Sequence, residues 1–257
     1  MTRVRVTACE LHTDRLDEDW QALAEHVRHE RSDLVVLPEM GLAPWFARRR
    51  EFDRQLWRSA VDAHARFLRE RLADLAPAAV LGAAPVERDG RRLNEAFVAD
   101  EAGVRPAHLK YHLPDEDDFW EASWYERGDG RFEPVEAAGT RVGFLVCTEM
   151  WFGERARAYG NQKVNIHAIP RCTPNETLDK WLAGGRTAAV VAGAYAISSN
   201  HGDERFGGQG WIVDPDGDVL AVTSREEPFV TREIDPAAAE AAKSTYPRYV
   251  ETCVTRR

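Results

Sequence analysis

The sequence predicts an α/β fold organised as one domain, residues 1–257. Two observations carry this. Apolar runs of strand length, such as Leu34-Val35-Val36-Leu37 and Val142-Gly143-Phe144-Leu145-Val146, read as buried strands. Between such runs lie stretches with apolar residues at helical spacing, as at Trp20, Leu23, Ala24 and Val27. The two patterns run the whole length, mixed with hairpins, and no linker or low-complexity stretch interrupts them. Strands inside and helices outside follow, in a mixed sheet system.

Taken in order, residues 3–9 alternate as a strand and 17–30 form a helix. The strand 34–37 is closed by Pro38. Residues 52–75 place Phe52, Leu56, Ala60, Phe67, Leu68, Leu72 and Leu75 along an amphipathic helix. A strand over 79–84 leads through the turn Arg88-Asp89-Gly90-Arg91 into a strand at 95–99. Strands are also predicted at 107–113, 132–136 and 140–146. Beyond Cys147, the pattern gives a short helix at 153–159, a strand at 164–169, a helix at 178–191 and a strand at 194–199. Strands 209–213 and 219–223 flank Asp214-Pro215-Asp216-Gly217 as a hairpin, 229–234 pairs next, and 236–243 is a terminal helix. Strand order does not follow from this pattern.

Composition excludes several functions. A net charge of −9 argues against a nucleic-acid or anionic-membrane partner, since both require a basic face. The longest apolar runs have only strand length, so no transmembrane helix is expected. The start, MTRVRVTACE, has no apolar h-region, which points to a cytoplasmic protein. Cys9, Cys147, Cys172 and Cys253 are widely spaced and form no CxxC pair, so free thiols are expected.

Cys147 is the most informative residue. It ends a buried strand and opens the polar turn Thr148-Glu149. Chemistry in α/β sheets gathers at that lip, although a buried cysteine alone is more often packing. A nucleophilic thiolate needs a neighbouring cation or base. Lys110 is one candidate. Strand alternation would put it on one face with His108 and His112, which reads equally as a solvated polar face. The two histidines lack a third ligand nearby, so no metal is expected. Glu39 follows the strand 34–37 directly, either as an exposed loop acid or as a general base at the sheet edge. Glu121 leaves the acidic run Asp115-Glu116-Asp117-Asp118, a solvated loop by composition, and sits between Trp120 and Trp124.

The segments LPEM around Glu39, HLKYHLP around Lys110, FWEASWYERGD around Glu121 and GFLVCTEMWF around Cys147 resemble the nitrilase superfamily of carbon–nitrogen hydrolases in order, spacing and flanking residues. The resemblance extends to Ile169-Pro170 and to Gly208-Gln209-Gly210-Trp211. It implies a four-layer α-β-β-α sandwich and a Glu-Lys-Glu-Cys site. Cys147 would be the nucleophile, Glu39 the general base, Lys110 the oxyanion partner, and Glu121 the acid that positions Lys110 or moves protons. The backbone N–H of Thr148 would be a second oxyanion donor. The implied reaction is hydrolysis of a small carboxamide or N-carbamoyl compound through a thioester, with no cofactor. A nitrilase, an acyl-transferring amide synthase and a catalytically silent binding protein are the rivals. Thr148-Glu149 in place of the Trp-Glu usual in nitrilases, together with a short tail, favours the amidase.

Trp45, Trp120, Trp124 and Trp151 lie close in sequence to the four motifs and could wall an aromatic pocket, or merely pack. Relatives that hydrolyse N-carbamoyl-D-amino acids hold the substrate carboxylate with arginines after the cysteine; Met150 and Trp151 stand there in this chain. Arg171 is the best remaining anion contact, unless it is a surface loop residue. Family members commonly dimerise, and Tyr246-Pro247-Arg248-Tyr249-Val250 could pack across a partner copy.

Overall fold

The computed structural model describes residues 2–203 and 205–250. Among these, twelve strands form two six-stranded halves. The first half contains β1 (Val4–Leu11), β2 (Leu34–Glu39), β3 (Ala79–Arg88), β4 (Arg91–Asp100) and β5 (Gly103–Leu109), ordered β5-β4-β3-β2-β1, with β12 (Phe229–Ile234) antiparallel on β1. The second contains β6 (Val135–Ala137), β7 (Thr140–Phe144), β8 (Ile166–Pro170) and β9 (Tyr195–His201), extended by β10 (Trp211–Val213) and β11 (Val219–Val222). The halves meet where β1 and β9 pair in parallel, through Glu10 with Asn200 and Leu11 with His201.

Side-chain alternation along these strands makes the layers. Val6, Ala8, Val36 and Leu81 of the first half cluster with Phe144, Ile166, Ala168 and Ile197 of the second, so the inner faces share one core. The outer face of the first half, with Val35, Leu37 and Val80, packs on α1 (Leu16–Glu30) through Trp20, Leu23 and Val27, and on α2 (Arg54–Arg71) through Leu68. The outer face of the second half packs on α4 (Gly153–Asn161) and α5 (Leu178–Ala192) through Ala156, Tyr159, Ala188 and Ala189. Gly185 lets α5 approach closely, since a Cβ there would meet the Trp211 ring at 2.2 Å. The short α6 (Pro236–Ala242) is capped by Asp235. These are the α-β-β-α layers that the resemblance implies.

Three local expectations require correction. The predicted strand 107–113 ends at Leu109, because β4 supplies only one further partner: the Asn94 carbonyl takes the Lys110 N–H at 2.9 Å. The Lys110 carbonyl then turns to the N–H of Gly128, also at 2.9 Å. His108, Lys110 and His112 therefore share no solvated face; His108 and Lys110 are both buried. In α2 the buried stripe is Trp57, Ala60, His64 and Leu68, and Phe52 stays outside. Asp53 caps the helix by accepting from the N–H groups of Gln55 and Leu56, which leaves Phe52 before it, under the Arg92 guanidinium at 3.7 Å. Lastly, the strand expected at 132–136 forms at Val135–Ala137, the stretch that β7 pairs, while the single turn α3 (Glu121–Trp124) has no apolar periodicity to announce it.

Candidate active site

The C-terminal ends of β2 and β7 and the chain just past β5 converge on one buried point. Glu39 is the last residue of β2, fixed by its own N–H to the Arg171 carbonyl at 3.2 Å, while its carbonyl accepts from His201 Nε2 at 2.6 Å. Lys110 is positioned by Asn94 and Gly128 as described. Only glycine fits at 128, since a Cβ would lie 2.2 Å from the Leu109 carbonyl oxygen. Glu121 opens α3 and is buried there, away from the exposed acidic run before it.

The ammonium of Lys110 lies 2.7 Å from Glu39 Oε1 and 2.7 Å from both oxygens of Glu121. All three side chains are shut off from solvent. Asn94 Nδ2 donates to Glu39 Oε1 at 2.7 Å, and among the described residues Glu39 Oε2 has no hydrogen-bond partner. Burial pulls the Lys110 pKa down, but Glu121 and Glu39 outweigh it and hold the ammonium protonated. Burial pushes Glu121 up to about 8, against the pull of Lys110 and with the repulsion of Glu39 adding to it. Two acids around one cation thus give the site a proton that can move at neutral pH.

Cys147 opens a tight turn, Cys147–Trp151, and is itself left-handed, with φ 49. The first bond of that turn runs from the Glu149 N–H to the Val146 carbonyl, so the Thr148 N–H stands ahead of it, uncommitted to the turn. Burial raises the Cys147 pKa, as does Glu39, while Lys110 and the backbone N–H of Cys172 lower it; the balance leaves a thiol that needs a base.

The four residues expected to act together are therefore brought together. The tentative pocket residues are not treated alike. Trp45, Phe46, Trp124 and Tyr125 form an aromatic cluster with Met40 and Cys172 beside the acids. Trp124 is fully enclosed, with its indole N–H on the Arg49 carbonyl at 2.6 Å. Trp45 donates to the Asp118 carbonyl, and Trp120 is half-buried under Arg50. Trp151 turns outward against Trp181 and is 48% exposed. Arg171 is no surface loop residue: it is fully buried, donating to Ser198 Oγ, Thr173 Oγ1 and the Gln209 carbonyl at 2.6, 2.8 and 2.6 Å. Those bonds commit its guanidinium to tying β8 to β9 and the chain before β10. An open cavity of about 1110 Å³ near Glu10, His12 and Gln209 is lined by none of Glu39, Lys110, Glu121 and Cys147, so the candidate site is assigned by its chemistry rather than by cavity size.

Asn94, His201 and Glu149 also hold this constellation, and sequence reasoning gave them no role. Asn94 left a weak signal, an amide beside Glu95 in an otherwise apolar stretch, Leu93–Ala99. His201, at the end of β9, left none.

The chain can now be set beside known proteins. Residues 5–244 match the family model for carbon-nitrogen hydrolases. A 2-oxoglutaramate amidase of Bacillus subtilis (strain 168) is 30% identical over 178 residues, 65% of this chain and 66% of that protein. Across the first curated relatives the matched span covers 40% to 66% of their length. A crystal structure of a carbon-nitrogen hydrolase from Helicobacter pylori G27 superposes with a TM-score of 0.83 at 21% identity, covering 96% of this chain and 94% of that one. A variant of the amidase from Nesterenkonia sp. AN1, with an acetamide moiety added covalently at its active-site cysteine, gives a TM-score of 0.73 at 19% identity, covering 92% of each chain. With the family match running from β1 through α6, the chain belongs to the carbon-nitrogen hydrolase family.

Proposed function

We propose that the protein hydrolyses the C–N bond of a small carboxamide or N-carbamoyl compound through a thioester on Cys147. The observation that carries this reading is the Lys110 ammonium, held 2.7 Å from both Glu39 and Glu121 in a dry site shared with a buried thiol. Glu39 takes the thiol proton, on the oxygen that has no other partner among the described residues. Cys147 sulfur adds to the carbonyl carbon. The oxyanion faces the Lys110 ammonium and the Thr148 N–H, donors already in place before the charge develops. The proton passes to the leaving nitrogen, the C–N bond breaks, and ammonia or an amine departs. Water, deprotonated by Glu39, adds to the thioester, and collapse returns the thiol and the free acid. Glu121 keeps Lys110 in place and supplies or stores a proton.

The aromatic cluster beside the acids and the commitment of Arg171 support a substrate with an uncharged, apolar body. Ammonia release from a panel of neutral amides, N-carbamoyl compounds, 2-oxoglutaramate and nitriles tests this, with hydroxylamine added to trap acyl transfer. Turnover of neutral amides, with an acyl mass on Cys147 and none in Cys147→Ala, is the expected result. Turnover of nitriles alone, or none dependent on Cys147, overturns it. We further propose a homo-oligomer, on the strength of exposed Trp151, Tyr246 and Tyr249. Light scattering reporting a monomer at micromolar concentration would remove that reading. No helix among the described residues is long and apolar enough to cross a membrane. A cytoplasmic location remains part of the proposal.

A further inference from the structure

Glu149 is fully buried, two residues past the nucleophile, and has no part in the chemistry described above. Its carboxylate is nonetheless one of the most heavily bonded groups in the protein. Oε2 accepts from the Val146 N–H at 3.0 Å and lies 2.8 Å from His108 Nε2. Oε1 accepts from the Tyr111 N–H at 2.8 Å and lies 3.5 Å from the His112 nitrogen. Its own N–H closes the nucleophile turn on the Val146 carbonyl at 3.1 Å. One side chain thus grips the turn that presents Cys147 and the Thr148 N–H. The same side chain grips the chain on both sides of Lys110, at His108 and at Tyr111. Those two segments lie on different halves of the sheet system: Lys110 follows β5, and Cys147 follows β7. Within the described residues His108 is itself set, with Nδ1 on the Arg131 carbonyl at 3.2 Å and its ring against Phe132 at 4.7 Å. Burial opposes the charge of Glu149, but His108 and the backbone amides outweigh burial and hold its pKa below the usual carboxylate range.

We propose that Glu149 is a positioning residue which, with His108, fixes the distance between the two oxyanion donors, the Lys110 ammonium and the Thr148 amide. An oxyanion hole works only if its donors are set before charge develops, and misplacement by about 1 Å can cost roughly 100-fold. Asn94 and Gly128 fix Lys110 within its own half, and the turn fixes Thr148 within the other. Among the described residues Glu149 hydrogen-bonds to both segments, and His112, stacked on Phe152 at 3.5 Å, adds a second link just past the turn. This inference rests on the hydrolase reading above, and the test separates their failures.

The test uses Glu149→Gln and His108→Gln in the full chain, with wild type beside them. A glutamine at 149 keeps one acceptor oxygen and so cannot serve both Val146 and Tyr111. The expected result is a fall in kcat of about 30-fold or more, with KM changed less than about 3-fold. Labelling of Cys147 by methyl methanethiosulfonate, which needs a thiolate but no oxyanion hole, should stay within about 3-fold of wild type. His108→Gln can still donate to the Glu149 carboxylate but loses the ring that is anchored on the Arg131 carbonyl and packed on Phe132, and should lower kcat about 3- to 10-fold, with the same insensitivity in labelling. Unchanged kcat in either folded variant overturns the proposal. So does a parallel loss of labelling and turnover, which marks a site that has merely collapsed. Should Glu149→Gln fail to fold, His108→Gln decides alone. Absence of turnover in wild type, with Cys147 still labelled, refutes the hydrolase reading instead.

Discussion

Lys110 and Arg171 are both fully buried cations at the same edge of the sheet system, and they are treated in opposite ways. Lys110 sits between two carboxylates at 2.7 Å, which keep its charge against burial. Among the described residues no acid forms an ion pair with Arg171. It spreads its charge over neutral oxygens of Ser198, Thr173 and Gln209, and lies over the Trp181 and Trp211 rings at 5.8 and 5.3 Å. Burial accordingly lowers its pKa to about 10. The lesson concerns what a buried charge is for. Opposed charges held together without water make a group of variable protonation, suited to catalysis. A lone guanidinium satisfied by dipoles makes a rigid joint.

The contrast can be broken at either end. On the proposed mechanism Lys110→Met should abolish turnover, by at least about 1000-fold, because it removes the ammonium that would face the oxyanion. It should also cost about 3–5 kcal/mol of stability at neutral pH by leaving the buried acids without their cation. Ammonia release and thermal melts from pH 5 to 8 read both effects. Arg171→Met should do the reverse. A loss of about 3 kcal/mol is expected from stranding three buried acceptors, with kcat per folded molecule within about 3-fold of wild type. A preserved melt with a large rise in KM for anionic amides would instead make Arg171 a substrate contact.

A third change sharpens the Lys110 side. Burial holds Glu121 at about 8, against 4.5 for an ordinary glutamate. With the folded value raised, the fold favours the protonated acid. The stability this group contributes is complete below about pH 4.5 and is lost as pH rises through 8. Glu121→Gln removes that dependence. Its melting temperature should therefore gain on wild type by the equivalent of about 1 kcal/mol or more between pH 5 and 8. Parallel curves across that window would contradict the raised value.

Much of this was legible in the sequence, and the limits have physical causes. Cys147 and Glu39 could be located because each ends an apolar run, and the lip of a strand is a place that periodicity can find. Glu121 was located by its offset in FWEASWYERGD rather than by pattern, since a single helical turn has no period to read. Lys110 was identified, but its strand was extended too far. The residue that ends β5 pairing is Gly128, eighteen positions away, and such a partner leaves no local trace. The sequence leaves Arg171 as either an anion contact or a surface loop residue, because nothing near it shows what covers it. Only the folded chain shows Trp181 and Trp211 closing over it. Glu149 stood in full view beside the nucleophile, and its meaning lies in His108 and Tyr111, 41 and 38 residues away.

The left-handed backbone of Cys147 has a consequence outside chemistry. A side chain at φ 49 costs about 1–2 kcal/mol that glycine would not. At an ordinary buried strand position such as Cys9, alanine should be more stable than glycine by about 0.5–1 kcal/mol. At 147 the order should invert, with Cys147→Gly melting above Cys147→Ala. The protein thus carries a standing incentive to lose its nucleophile. A descendant released from catalysis would be drawn toward glycine at this turn, and glycine there would mark a chain whose chemistry has lapsed while its fold has improved.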